Sequence, residues 1–193
     1  MTALIRSLAA AAGDLADLHR PFALVGGLAV STRAEPRFTR DADLVVSVGS
    51  DDGAERTVHA LIGLGYSVEA VVEQTGLGRL ATARLRSRIE GGVVVDLLFA
   101  SSGIEAEIAA AAELLVIARG VQLPVALSGH LIALKLLSCD TEGRRQDLID
   151  LDELKAVATD EDWRLAADAC HLIVERGFQR SRDLEAMLVQ LRM

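Results

Sequence analysis

Apolar residues recur every three to four positions across residues 2–19, at Leu4, Leu8, Ala11, Ala12, Leu15 and Leu18. This predicts an amphipathic helix, with Pro21 as the punctuation behind it. Phe22 to Gly26 is a short apolar run ending in Gly-Gly, as a buried strand would, and residues 28–33 open a helix that Glu35-Pro36 breaks. Residues 43–48 are β-branched and bounded by Gly49 and Ser50, hence a strand. Residues 51–64 read as a helix, with Asp51 or Asp52 as cap and Gly63/Gly65 as stop. A strand over 66–72 leads to a turn at Gly76-Leu77-Gly78. Residues 80–86 alternate like a strand with one wet face, and Gly91-Gly92 turns into an apolar strand over 93–99. A helix over 104–112 and two short strands around Gly120, within 114–125, complete this half. After Ser128 the periodicity is helical throughout: 128–138, 143–158, 161–175 and 181–191, with Ser128 and Ser181 as expected caps. The plan is α+β: a mixed α/β unit over 1–125 and a helical unit over 126–193. The hairpin at 91–92 argues for a mixed or antiparallel sheet.

Composition narrows the class. The chain has 193 residues, 51% hydrophobic, with 20 basic and 28 acidic side chains and a net charge of −8. Aromatics are 3%, so the core must be aliphatic. No run approaches the roughly 18 apolar residues of a membrane span, and Asp14 and Asp17 interrupt the N-terminal run where a signal peptide would need it apolar. A cytoplasmic protein is expected. Cys139 and Cys170 form no CxxC pair and read as small buried residues. The acidic total speaks against a bulk DNA binder, but its distribution is uneven. Residues 1–100 carry 10 basic and 12 acidic groups, residues 101–193 carry 10 and 16, and arginines cluster at 33, 37 and 40 and at 79, 84, 86 and 88. Lys135 and Lys155 are the only lysines.

Three features carry candidate chemistry. Asp41 and Asp43 flank Ala42 at the head of a strand; side chains at i and i+2 share a face there, about 6.5–7 Å apart. Two such carboxylates suit a hard divalent cation, or form a solvated strand end. Asp96 interrupts an apolar strand, where a carboxylate needs a metal or an arginine partner. If its strand lies beside that of Asp43, three carboxylates converge, the arrangement that clamps a phosphoryl displacement with two metal ions. Gly26-Gly27 follows a strand and opens a helix, where backbone N–H groups can receive phosphate.

Val25-Gly-Gly-Leu-Ala-Val30, Arg33 and Arg37-Phe-Thr-Arg-Asp41-Ala-Asp43 together resemble the opening of the nucleotidyltransferase fold. Leu131-Ile-Ala-Leu-Lys135-Leu-Leu-Ser and Arg144-Arg-Gln-Asp147-Leu-Ile-Asp150 resemble the AbiEii/AbiGii toxin family, MenT-like tRNA nucleotidyltransferase toxins included. The likeness spans about residues 20–157. It implies a nucleotidyltransferase-like mixed sheet flanked by helices, followed by a C-terminal helical bundle. It also implies transfer of a nucleoside monophosphate from an NTP to an acceptor hydroxyl, with Mg²⁺ or Mn²⁺. The implied acceptor is the tRNA 3′ end, and the implied partner an antitoxin. By the same likeness Gly26 and Gly27 are the phosphate turn, and Asp41, Asp43 and Asp96 the metal ligands, Asp96 alternatively the base. Lys135 is the helical lysine that contacts phosphates, and Asp147 the fourth-motif aspartate. Departures are Leu28 where relatives carry Ser or Thr, Arg40 where Ser is common, and Gln146 where Lys is frequent.

Several alternatives stay open at this level. Arg37 and Arg40 could bind phosphate or RNA, or neutralise Asp41 and Asp43. Lys135 could snorkel to solvent, and Asp147 and Asp150 could pair on the surface with Arg144 and Arg145. The four histidines show no metal spacing; His130 reads as structural and Trp163 as core. An aminoglycoside-type acceptor fits the acidic total. A catalytically silent binding protein is the third reading, against which all three carboxylates are retained.

Overall fold

The computed structural model describes residues 2–36, 39, 41–74, 78–139 and 145–193, the last segment without the Arg145 side chain. Helix α1 (Ala3–Asp17) is capped by the Thr2 hydroxyl, which accepts from the Ile5 N–H, and buries Leu8, Ala11, Ala12 and Leu15. Strand β1 (Phe22–Val25) is buried at every position and runs directly into α2 (Gly26–Arg33). Strand β2 (Ala42–Val46), α3 (Asp51–Gly63), β3 (Ser67–Gln74), β4 (Arg79–Arg86), β5 (Val94–Leu98), α4 (Glu105–Ala111), β6 (Glu113–Ala118) and β7 (Val121–Val125) follow. The helical remainder is α5 (Ser128–Ser138), α6 (Arg145–Val157), α7 (Asp160–Glu175) and α8 (Leu184–Arg192). Among the described residues no helix is long and apolar enough to cross a membrane.

The strands form one seven-stranded sheet in the order β3-β4-β5-β2-β1-β7-β6. It is mixed: β2 and β5 pair in parallel, as do β1 and β7, and the other neighbours are antiparallel. The expected hairpin at Gly91-Gly92 joins β4 to β5 and delivers β5 alongside β2. The core is aliphatic, built on Leu24, Leu44, Leu61, Leu85, Leu97, Ile104 and Ile108, and continues into the helical half through Leu131, Ile132 and Leu154. Helices α5 and α7 meet at Gly129, where a Cβ would stand 2.5 Å from the Asp162 carbonyl oxygen, so only glycine permits this approach.

Three expected caps are not the caps observed: in two helices another side chain reaches the free N–H groups, and in the third no side chain does. The Ser50 hydroxyl, not Asp51 or Asp52, accepts from the Gly53 N–H. Ser128 is already the first residue of α5, and the residue before it, Leu127, makes no side-chain cap. Asp183 rather than Ser181 caps α8, because Arg180 and Ser181 sit in left-handed backbone and delay the helix start. The predicted turn at Gly76-Leu77, and the start of the predicted helix at 143–144, lie outside the described residues. Asp14, read as an interruption, is an anchor instead. Its carboxylate accepts from Tyr66 Oη at 2.6 Å and from Arg88 Nε at 2.9 Å, tying α1 to the sheet. Burial alone would push Asp14 up, but those hydrogen bonds outweigh it and hold the carboxyl below its ordinary range.

Candidate active site

The register of three neighbouring strands sets the site. Asp43 of β2 stands opposite Asp96 of β5, and Asp96 opposite Arg84 of β4. Strands lie about 4.8 Å apart, so these three side chains form one row across the sheet. On the other side of β2, Val25 is the register partner of Asp43, and the chain turns there into α2. Gly26 adopts φ +66°, and a Cβ on it would stand 2.0 Å from Asp43 Oδ2. The Gly-Gly turn is thus packed directly against a carboxylate, a contact that explains the glycine before any ligand is considered. Asp41 lies just before β2 and is exposed.

The electrostatics of the row are unbalanced. Burial drives the Asp43 carboxyl up to about 7, with Asp96 and Asp41 adding repulsion, against weaker opposing attraction from Lys135 and Arg84. Asp96 is held in a forked ion pair: Arg84 Nε donates to Oδ1 at 2.8 Å and an Arg84 terminal nitrogen to Oδ2 at 2.6 Å. The pair in turn raises the Arg84 guanidinium further above its ordinary range. Among the described residues no three His, Cys, Asp or Glu side chains stand gathered for a metal as they are. The donor set is nevertheless of the right kind. Asp41, Asp43 and Asp96 offer hard carboxylate oxygens only, and Asp43, which carries the raised pKa, accepts no protein hydrogen bond among the described residues.

Across the cleft, Lys135 of α5 is largely buried, its side chain 13% exposed, and it hydrogen-bonds to carboxylates of α6 and not to those of the sheet. Its Nζ donates to Asp147 Oδ1 at 2.7 Å and lies 2.7 Å from Asp150 Oδ2. Asp147 is 6% exposed and Asp150 0%, so both are buried and not on the surface; Arg144 and the Arg145 side chain, their expected partners, lie outside the described residues. One turn of α6 presents both carboxylates to the only lysine within α5, and Ser138 Oγ donates to Asp147 Oδ2 at 3.1 Å. A cavity of about 230 Å³ joins the two walls, lined by Gly26, Asp43, Thr82, Lys135, Asp147 and Arg180. A larger hollow of about 460 Å³, bordered by Arg79, Glu107 and Arg176, touches none of the carboxylates, glycines or lysine assigned to the site.

The structure therefore gathers Gly26, Asp43, Asp96, Lys135 and Asp147 around one cleft, with Gly27 buried in the first turn of α2 and Asp41 at its rim. Arg37 and Arg40 lie outside the described residues. Sequence reasoning missed three members. Arg84 was legible only as one of an arginine cluster, Asp150 as a surface partner, and Arg180 gave no signal. His130 and Trp163 are buried as expected; burial lowers the His130 pKa, and Arg192 lies 5.8 Å from the Trp163 ring centre.

Solved structures of nucleotidyltransferases share this fold. The antigenic nucleotidyltransferase-like protein from Paracoccidioides brasiliensis has a similar fold, at TM-score 0.55 and 19% identity, covering 96% of this chain and 91% of its own. MenT4, a nucleotidyltransferase toxin from Mycobacterium tuberculosis, is similar at TM-score 0.54 and 21% identity, over 95% of this chain and 68% of its own. ANT(2″)-Ia, solved in complex with adenylyl-2″-tobramycin, is similar at TM-score 0.52 and 15% identity, over 96% and 97%. No curated protein matches. The model of the family "Nucleotidyl transferase AbiEii toxin, Type IV TA system" matches residues 8–189, and the chain belongs to that family. It is a nucleotidyltransferase of the toxin class.

Proposed function

We propose that this nucleotidyltransferase is metal-dependent and transfers a nucleoside monophosphate from an NTP to the 3′-terminal hydroxyl of tRNA. The observation that carries this reading is the register pairing of Asp43 with Asp96, with Gly26 packed on the Asp43 carboxylate. Asp41, Asp43 and Asp96 would hold Mg²⁺ or Mn²⁺. A bound divalent ion supplies charge stabilisation for the reacting phosphoryl oxygens and lowers the cost of a leaving pyrophosphate. The N–H groups at the start of α2, from Gly26 and Gly27, face the incoming phosphates in this reading. Lys135 stands across the cleft as the cation for the triphosphate, and Asp147 and Asp150 fix its ammonium in place. The acceptor oxygen attacks the α-phosphorus as the bond to the β-phosphate oxygen breaks, and Asp96 takes the hydroxyl proton. In the cell, the enzyme works in the cytoplasm under control of a partner antitoxin.

Labelled NTPs, Mg²⁺ and total tRNA form the test. Label entering tRNA, and lost in Asp43→Ala, supports the reading; no transfer, or transfer that survives Asp43→Ala, overturns it. The net charge of −8 favours a second acceptor class, cationic aminoglycosides. Label moving to such a drug in preference to tRNA would establish that alternative.

A further inference from the structure

We propose that Arg84 is a built-in counter-ion that occupies Asp96 until a triphosphate draws it away, so that metal and nucleotide load together. The inference rests on the metal-dependent reading above and extends it to the order of loading. Its basis is geometric. The two prongs of the Arg84 guanidinium take both oxygens of Asp96, at 2.8 and 2.6 Å. A carboxylate held this way spends one lone pair of each oxygen, and much of its charge, on Arg84 rather than on a cation shared with Asp43, its register partner on the adjacent strand. A divalent ion entering alone therefore competes with a forked, charge-assisted pair for the Asp96 charge.

The position of Arg84 also provides its release. Its side chain is 50% exposed, whereas that of Asp96 is 14% exposed. The fixed partner is the carboxylate; the guanidinium is the mobile one, on a strand at the open side of the cleft. Two charges of opposite demand meet there. Asp41, Asp43 and Asp96 hold Arg84 electrostatically, and a triphosphate presents the same planar oxygen pairs with more charge. A guanidinium that turns from Asp96 to phosphate frees one carboxylate oxygen for the cation and the other for the hydroxyl proton, and neutralises the nucleotide in one movement. Lys135 faces the triphosphate from the far wall, held by Asp147 and Asp150, and makes no contact with Asp96 that its movement could release.

The test compares Mn²⁺ alone with Mn²⁺ plus inorganic tripolyphosphate, by titration calorimetry on the intact chain. The proteins are wild type, Arg84→Gln, Arg84→Lys and Asp43→Ala, with far-UV circular dichroism checking each fold. Losing a competing pair worth one to two kcal/mol corresponds to about five- to thirtyfold. Arg84→Gln should therefore bind Mn²⁺ alone tighter than wild type by that factor, with Arg84→Lys, which can cover one oxygen, in between. Tripolyphosphate should strengthen Mn²⁺ binding to wild type and do so less in Arg84→Gln. A merely structural role for Arg84 would weaken metal binding on substitution, not tighten it. Equal Mn²⁺ affinity in wild type and Arg84→Gln, both lost in Asp43→Ala, overturns the counter-ion role and leaves the metal site standing. No Mn²⁺ binding to wild type or Arg84→Gln, with or without tripolyphosphate, overturns the metal site and this inference with it.

Discussion

Asp43→Asn should make the metal-free protein more stable at pH 8 and leave it unable to transfer nucleotides. In the folded chain the Asp43 carboxyl titrates at about 7 rather than 3.8, because it is buried and faces Asp96 and Asp41. The folded state therefore holds a proton that the unfolded state has already released between those two values. Stability must fall as pH rises from 3.8 to about 7, and the whole cost stands above that. About three pH units at roughly 1.4 kcal/mol each set a ceiling on the order of 4 kcal/mol. Asparagine keeps a polar group in the same half-buried place, so a net gain of about 2 kcal/mol is expected. For a chain of this size that is a rise of about 4–8 °C in Tm. The assay is thermal unfolding of wild type and variant in EDTA, at pH 5 and pH 8. The variant should unfold higher at pH 8, the gap should close at pH 5, and Mg²⁺ should raise the Tm of wild type only. A variant no more stable than wild type at pH 8, or a gap equally large at pH 5, would refute the reasoning.

Other outcomes follow from the same contacts. Gly26→Ala puts a methyl 2.0 Å from the Asp43 carboxylate in left-handed backbone, and should lower stability by more than about 1 kcal/mol and abolish transfer; calorimetric unfolding and the labelling assay check it. Asp14→Ala leaves the Tyr66 hydroxyl without its acceptor and should cost about 2–3 kcal/mol in urea unfolding. Because the Asp14 carboxyl is held below its ordinary 3.8, that loss is present above pH 4 and shrinks as pH falls through the folded value, opposite in sign to Asp43. Lys135→Met removes the ammonium that Asp147 and the fully buried Asp150 share and should cost more than about 1 kcal/mol by denaturant melts, with added Asp150→Asn recovering part of the stability but none of the activity.

The sheet strands were readable because their apolar runs are short, β-branched and bounded by glycine, and those signals are local. The residues that form the site were readable one at a time, by type and spacing. Their assembly was only conditional: Asp43 meets Asp96 because the β4–β5 hairpin returns β5 parallel to β2, a pairing between residues more than fifty apart that no local pattern encodes. Lys135 shows the reverse failure. The helix periodicity marked it as a charge on an apolar face, for which solvent was the ordinary destination. It is instead enclosed because α6 packs against α5 and brings Asp147 and Asp150 over it. The anchoring role of Asp14 is not legible for the same reason, since its partners Tyr66 and Arg88 lie 52 and 74 residues away. Helix caps failed on a smaller scale, by choice between adjacent polar residues.

The central claim is that the carboxylate row on β2 and β5 carries out metal-dependent nucleotide transfer to tRNA. It is tested most directly by incubating the protein with each labelled NTP, Mg²⁺ and total tRNA, beside Asp43→Ala and Asp96→Ala proteins shown to be folded. The account predicts label at the tRNA 3′ end with wild type, abolished by EDTA and by either substitution. Label that persists in EDTA, or in either variant, would contradict it.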